Sequence, residues 1–399
     1  MKHIVLLLLL GVTAGLLADD SASFGQCTAA LREQASAAGI SVATLDRAFA
    51  DLEPAATILH KDRRQLEFVS SFWDYLDKTV TRRRVNYGRE LKQRHAKLLN
   101  RVHDHFGVRS EHMLALWGME TNYGKVLGDH PVLQSLATLA CDHRRPALFR
   151  KEFISALSII DRGLMKPVRL KGSWAGAMGQ IQFLPSVYLE HAQDFDGDGA
   201  RDIYDSLPDA LASAANYLRA IGWQPGERWG REVILPRNFD WSKAQPELQR
   251  TVKQWSGEGI VTAFGEPLPA VEFPAKLLLP AGQFGPAFLT YRNFEVTMQW
   301  NRSTSYALAV GILADRIAGS AGLVTPKPRG LRRLKRKQVI EIQELLNALG
   351  YDSGAADGII GTRTRNAVRA FQLARNLPAD GHPDLSLLGN LRKQNHVAH

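Results

Sequence analysis

Only two cysteines, Cys27 and Cys141, occur in the 399 residues. Neither has a ligand-spaced partner, which argues against zinc and thiol chemistry. In an oxidising compartment the two could join as one disulfide; two separate buried thiols are the other reading. Beyond the first residues no apolar run reaches membrane-spanning length, so no stable membrane insertion is expected of the mature chain. No internal repeat is evident. Hydrophobic residues at 45% and charged residues at 23% are the proportions of an ordinary globular chain, one long enough for two or more domains. Acidic side chains are in deficit, 40 against 50 basic, leaving a formal charge of +10.

The chain opens with an export pattern. Met1-Lys2-His3 is a basic start, Ile4 to Leu17 an apolar stretch, and Ala18-Asp19-Asp20 a cleavage region, so residues 1–18 read as a signal peptide. Export bears on the charge. A basic protein suits an acidic partner; outside the cytoplasm an anionic wall polymer fits better than nucleic acid. Part of the excess is local, in Lys327, Arg329, Arg332, Arg333, Lys335, Arg336 and Lys337, which can equally be a solvated linker.

From about residue 25 to 230 apolar residues recur at helical spacing, as in Leu98, Leu99, Val102 and Phe106. Between 230 and 300 the pattern turns mixed. Val233-Ile234-Leu235-Pro236, Val271-Glu272-Phe273-Pro274 and Phe294-Glu295-Val296-Thr297 read as short strands. A helix returns at Ser305 to Ala318. Residues 19–325 are expected to form one catalytic region, 326–337 a basic linker, and 338–395 a separate small module. The fold class is mainly α (α+β).

Three segments carry chemistry. In Trp117-Gly118-Met119-Glu120-Thr121-Asn122-Tyr123-Gly124 a single carboxylate ends an apolar helical run, and Asn122 and Gly124 can stop the helix. Apolar neighbours should raise the Glu120 pKa and keep it protonated, as a general acid requires. The plainer alternative is a helix-end Glu paired with Lys125 or Arg150. In the stretch from Lys171 to Ser186, small residues alternate with amides and aromatics. Gln180 and Gln182 suit sugar hydroxyls, while Trp174 and Phe183 offer flat faces; a tight helix-packing seam is the alternative. In the third segment Asp194, Asp196 and Asp198 occupy positions one, three and five of a calcium-type loop. Ala200 stands at seven, Asp202 at nine and Asp205 at twelve, where Glu is usual, and Asp209 follows shortly. The cation expected there is a structural Ca2+; no organic cofactor is implied.

In this order the segments resemble the family B lytic transglycosylases of the bacterial cell wall (glycoside hydrolase family 103). The likeness extends to Gln299-Trp300-Asn301-Arg302-Ser303 and on to Tyr306, and covers roughly residues 25 to 320. It implies a lysozyme-like helical core with Glu120 as sole acid and base. Positions matching Ser173, Gln182, Asn301 and Tyr306 would line the glycan site, with Tyr123 and Trp300 as stacking candidates. The family's metal loop is longer than twelve residues, which would make Asp209 its closing ligand. The implied reaction cleaves the MurNAc-GlcNAc bond without water and closes a 1,6-anhydro ring. A hydrolase would need a second carboxylate, and none is obvious near Glu120, Glu152 and Glu190 reading as solvated. Residues from Val339 to Tyr351, then Asp357-Gly358-Ile359-Ile360-Gly361 and Phe371-Gln372, resemble the peptidoglycan-binding domain 1 family, a three-helix module. The alternatives are a muramidase that uses water and a non-catalytic wall-binding scaffold. The expected location is the periplasm.

Overall fold

The computed structural model describes residues 12–62, 71–330 and 333–397. Seven helices come first: α1 (Val12–Ala37), α2 (Val42–Phe49), α3 (Ala56–Asp62), α4 (Phe72–Thr79), α5 (Arg82–Arg94), α6 (Ala96–Phe106) and α7 (Ser110–Thr121). Then follow β1 (His130–Pro131), α8 (Val132–Ala140), α9 (Pro146–Asp161), β2 (Lys171–Gly172), α10 (Pro185–His191) and α11 (Leu207–Ala220). A sheet region holds β3 (Gly230–Ile234), β4 (Gln249–Thr251), α12 (Val252–Gly257), β5 (Val261–Thr262), β6 (Pro274–Leu278) and β7 (Ala287–Thr290). Helices α13 (Arg292–Trp300), α14 (Thr304–Ala318), α15 (Arg336–Ala348), α16 (Thr362–Ala374) and α17 (Leu385–Val397) complete the chain. Most of the signal-peptide expectation, residues 1–11, lies outside the described residues, as does Arg332 of the basic run. Among the described residues no helix is long and apolar enough to cross a membrane.

Two compact units result, one from residues before 66 with 120–217, the other from 66–119 with 218 onward. In the first, α8 is apolar on nearly every side and buries Val132, Leu136, Leu139 and Ala140. It packs on α9, which contributes Phe153, Ala156 and Leu157. Helix α1 seats Leu31 and Ala35 in this core, and the Cys27–Cys141 disulfide ties it to the end of α8. Of the two cysteine readings, the paired one holds.

In the second unit the sheet order is β4-β6-β7-β3-β5, antiparallel throughout, with Glu232 opposite Phe288 and Leu277 opposite Leu289. Its core gathers Val252, Trp255, Leu289 and Tyr291, and the Trp255 indole donates to the Ala275 carbonyl at 3.0 Å. Helix α14 is buried from Tyr306 to Ala314, the pattern of a helix enclosed on all sides. Two strand expectations need correcting. Phe294–Thr297 belongs to helix α13, and the strand expected from Val271 begins only at Pro274.

His112 on α7 joins α13 from inside. It is 3% exposed, its ring centroid lies 4.5 Å from that of Trp223, and its Nε2 is 3.1 Å from Thr297 Oγ1. Thr297 Oγ1 itself donates to the Asn293 carbonyl at 2.9 Å, so Nε2 must be the protonated, donating nitrogen. Burial, with the Arg109 charge adding to it, lowers the His112 pKa to about 3. An unfolded imidazole takes up its proton near pH 6.5, whereas the folded one does not until far lower. Stability should therefore fall as pH drops from about 6.5 towards 3, by at most about 1.4 kcal/mol per pH unit. His112→Gln keeps a donor but cannot titrate. It should reduce the slope of unfolding free energy between pH 4 and 6 by about one proton; an unchanged slope in urea titrations would contradict this account.

The C-terminal helices enclose Ile342, Leu346, Val368, Phe371 and Leu391. Gln343 organises the first turn. Its Nε2 donates to the Ile359 carbonyl at 3.1 Å, and its Oε1 accepts from Gly358 N at 2.9 Å. Gln372 repeats the device, donating to Asp380 Oδ1 at 2.8 Å and accepting from Gly381 N at 2.9 Å. The same Gln and Asp-Gly clasp thus occurs twice, although no repeat is evident in the sequence. Asp380 Oδ2 also accepts from Gln283 N at 2.8 Å, between β6 and β7.

Candidate active site

Helix α7 delivers Glu120, half-buried, in its last turn. The helix is stopped by three successive left-handed residues, Asn122 (φ 51°), Tyr123 (φ 61°) and Gly124 (φ 77°). Asn122 and Gly124 were expected there; an aromatic residue in that region is uncommon and needs support. Buried Thr121 supplies it. Its Oγ1 donates to the Gln180 carbonyl at 2.7 Å and accepts from Gly124 N at 2.9 Å. The residue after Glu120 is thereby fixed to the loop that starts at β2.

That loop needs its small residues. A Cβ at Gly172 would fall 2.0 Å from the Ala177 carbonyl oxygen, and Gly179 (φ +69°) would place one 2.6 Å from the Ile203 oxygen. Ser173 N donates to Ala177 O at 2.8 Å, while Ser173 Oγ accepts from Ala177 N at 3.1 Å and Ala175 N at 3.3 Å. Both bonds use the hydroxyl as acceptor, so its proton stays available to a ligand oxygen. Gln182 (φ 50°) donates both amide hydrogens inward, to Leu127 O at 3.1 Å and Gly179 O at 2.9 Å. Its Oε1 is the atom left to accept from a ligand donor.

Two residues of this segment stand elsewhere than expected. Gln180 is buried at 8% exposure and its Nε2 donates to Tyr204 O at 2.9 Å, so it shapes the loop instead of facing a sugar. Phe183 is buried with its ring edge-on to Tyr217 at 5.6 Å; it presents no open face. Tyr123, at 4% exposure, is likewise in the interior. In the second unit Trp300 ends α13 half-buried, and Asn301 N closes that helix onto Thr297 O at 3.1 Å. Ser303 caps α14 by accepting from the N–H of buried Tyr306 at 3.2 Å.

Glu152 also differs from expectation. It is 2% exposed, not solvated, and its carboxylate accepts from Ser186 N at 2.9 Å and Ser186 Oγ at 2.8 Å at the start of α10. It is a buried cap. Glu190 is solvated as expected, its side chain 76% exposed.

The aspartate loop gathers Asp194, Asp196, Asp198 and Asp209, with one carboxylate oxygen of each within 4.8 Å of the others. Fully buried Asp209 accepts from Phe195 N at 2.7 Å and Asp202 N at 2.8 Å. Burial raises its pKa despite these bonds, and the Asp196 charge adds to the rise. Four carboxylates this close suit a hard divalent cation, and the all-oxygen donor set suits calcium rather than zinc. Asp202 and Asp205 do not join the group. Asp202 Oδ1 accepts from Tyr204 N at 2.8 Å, and Asp205 pairs with Arg169. Of the two expected closing positions, Asp205 and Asp209, it is Asp209, on the first turn of α11, that lies with the other three. Ala200 N donates to Asp198 Oδ1 at 2.8 Å, holding the loop between them.

Sequence reasoning did not find Thr121, His112 or the capping role of Glu152. Only Thr121 left a trace, as a hydroxyl residue directly before Asn122, which tolerates the left-handed region.

Residues 23–315 match the family model described as the transglycosylase SLT domain, and residues 335–391 match that of a peptidoglycan binding domain. The membrane-bound lytic murein transglycosylase B of Escherichia coli strain K12 is 32% identical over 250 residues, 61% of this chain and 66% of that relative's length. The structure of SltB3 from Pseudomonas aeruginosa in complex with NAG-anhNAM-pentapeptide shares 45% identity at a TM-score of 0.86, over 92% of this chain and 99% of that one. The Escherichia coli lytic transglycosylase Slt35 in complex with calcium shares 29% identity at a TM-score of 0.62, over 75% and 93%.

Proposed function

Because the chain belongs to the transglycosylase SLT domain family, we propose that it cleaves peptidoglycan glycan strands as a lytic transglycosylase, with Glu120 as acid and then base. The observation that carries this reading is the family match across residues 23–315, which takes in Glu120 and the loop fixed beside it. The other carboxylates considered give no support to a two-acid hydrolase: Glu152 is consumed as a cap, and Glu190 faces water. In the proposed sequence Glu120 protonates the oxygen between MurNAc and GlcNAc as that bond breaks. The carboxylate so formed takes the proton of the sugar's own C6 hydroxyl, which bonds to C1 and closes the 1,6-anhydro ring. No water enters. Ser173 Oγ–H and Gln182 Oε1 would orient the sugar. Mass spectrometry of digested sacculi tests the reaction: anhydro ends are expected, whereas reducing ends heavier by one water would make the enzyme a muramidase.

The four-aspartate loop is assigned to calcium, held by Asp194, Asp196, Asp198 and Asp209. Its role is to draw the start of α11 onto the loop after α10. Calcium at a hundredfold excess over its Kd should stabilise the fold by about 2.7 kcal/mol, read as a rise in Tm. An Asp196→Ala, Asp198→Ala variant should lose that response, and a wild-type melt indifferent to calcium would remove the site. The mature protein is assigned to the periplasm, after removal of a leader ending near residue 18, with the C-terminal module holding it on the wall.

A further inference from the structure

Helices α5 and α6, residues 82–106, carry eight Lys and Arg side chains against Glu90 and Asp104. That stretch alone holds a net +6 of the chain's formal +10. Each helix buries one stripe, Val85, Gly88 and Leu91 on α5 and Leu99, Val102 and Phe106 on α6, and turns the other to water. Internal contacts account for some of the cations. Arg84 reaches the Thr79 carbonyl, Arg89 donates to Arg316 O at 3.0 and 2.7 Å, Lys92 pairs with Glu111 at 2.6 Å, and Arg94 pairs with Glu90. Arg82, Arg83 and Lys97 lie on the exposed faces.

The placement is electrostatically adverse. Arg82, Arg83 and Arg84 fill the first three positions of α5, directly after its cap Thr81, and no acidic residue lies in that turn. The positive end of a helix favours carboxylates there and disfavours cations. The acids of preceding helix α4 do not compensate, because Asp74 pairs with Arg333 and Asp77 with Lys327. Stability alone gives no reason for such a concentration; an anionic partner does.

We propose that the outward faces of α5 and α6 form a docking surface for the free carboxylates of peptidoglycan stem peptides, separate from glycan cleavage and from the C-terminal module. The inference rests on the peptidoglycan reading above. Guanidinium groups match carboxylates in a two-point geometry. Single exposed pairs are weak, but a polymer that repeats its carboxylates engages several at once, and the contacts add through effective concentration.

The test compares the wild type with an Arg82→Glu, Arg83→Glu, Lys97→Glu variant in binding to purified sacculi over a salt series. Glycan strands stripped of stem peptides by an amidase, with the lactyl carboxylates this frees then converted to amides, and phosphatidylglycerol vesicles serve as further probes. The variant should bind intact sacculi about tenfold more weakly, three exposed contacts being lost, and with a flatter salt dependence. On stripped strands the two proteins should bind and cleave alike. Equal, equally salt-sensitive binding of both proteins to intact sacculi would overturn the proposal. So would the same deficit on stripped strands, or a deficit confined to the vesicles, which would make this a membrane surface. If neither protein cleaves any strand while the difference on sacculi persists, the catalytic reading fails and the docking surface stands. Should the charge reversal lower Tm, the Arg82→Gln, Arg83→Gln, Lys97→Gln variant carries the same comparison.

Discussion

Replacing Glu120 with Gln should lower glycan-strand cleavage by at least about 10²–10⁴-fold, the range of a general acid or base contribution. The loss belongs at or above the upper end, since one group is assigned both proton transfers and no second carboxylate replaces it in either. Gln is nearly isosteric and keeps hydrogen-bonding capacity, so the last turn of α7, already fixed by Thr121 Oγ1 on Gln180 O at 2.7 Å, should be undisturbed. Binding to sacculi through the C-terminal module should be retained, which separates a catalytic loss from a folding one. A matched Glu152→Gln control sharpens the result. That side chain caps α10 from a buried position, so its neutral form should weaken stability while product chemistry stays the same. Cleavage by Glu120→Gln within a few-fold of wild type would end the assignment.

The sequence showed the helices clearly where one face alone is buried, as with Leu99, Val102 and Phe106 on α6. It failed in parts of the sheet region and where tertiary bonds decide. Phe294-Glu295-Val296-Thr297 alternates like a strand, but Asn293 donates to Gln224 O at 2.9 Å and Glu227 O at 2.8 Å and sets the start of a helix. Strand β7 buries all four of its residues and so had no period to read. At the site, the motifs identified the segments but not the direction of each side chain. Gln180 and Gln182 are two residues apart, yet the left-handed backbone of Gln182 and the buried bond from Gln180 to Tyr204 O divide them into one candidate contact and one loop former. The closing aspartate followed the same logic. Counting along the loop points to Asp205, whereas α11 begins where it brings Asp209 back to the other three.

Loss of the Cys27–Cys141 bond should be the largest single stability change available in the first unit. The bond spans 114 residues, and closing a loop of that size restrains the unfolded chain by up to about 4–5 kcal/mol in the entropy view, with measured removals of native bridges nearer 2–5. What it secures is α1, which buries Leu31 and Ala35 against the helical core but has no other covalent tie to α8. A reductant should therefore lower the wild-type Tm by several degrees and leave a Cys27→Ser, Cys141→Ser variant, already destabilised, unmoved. The variant separates bond loss from any general effect of the reductant, since both proteins meet the same conditions. The proposed export would place the chain in an oxidising compartment, where such a bridge persists. Coincident melts of reduced wild type, oxidised wild type and variant would show that α1 holds its place by packing alone.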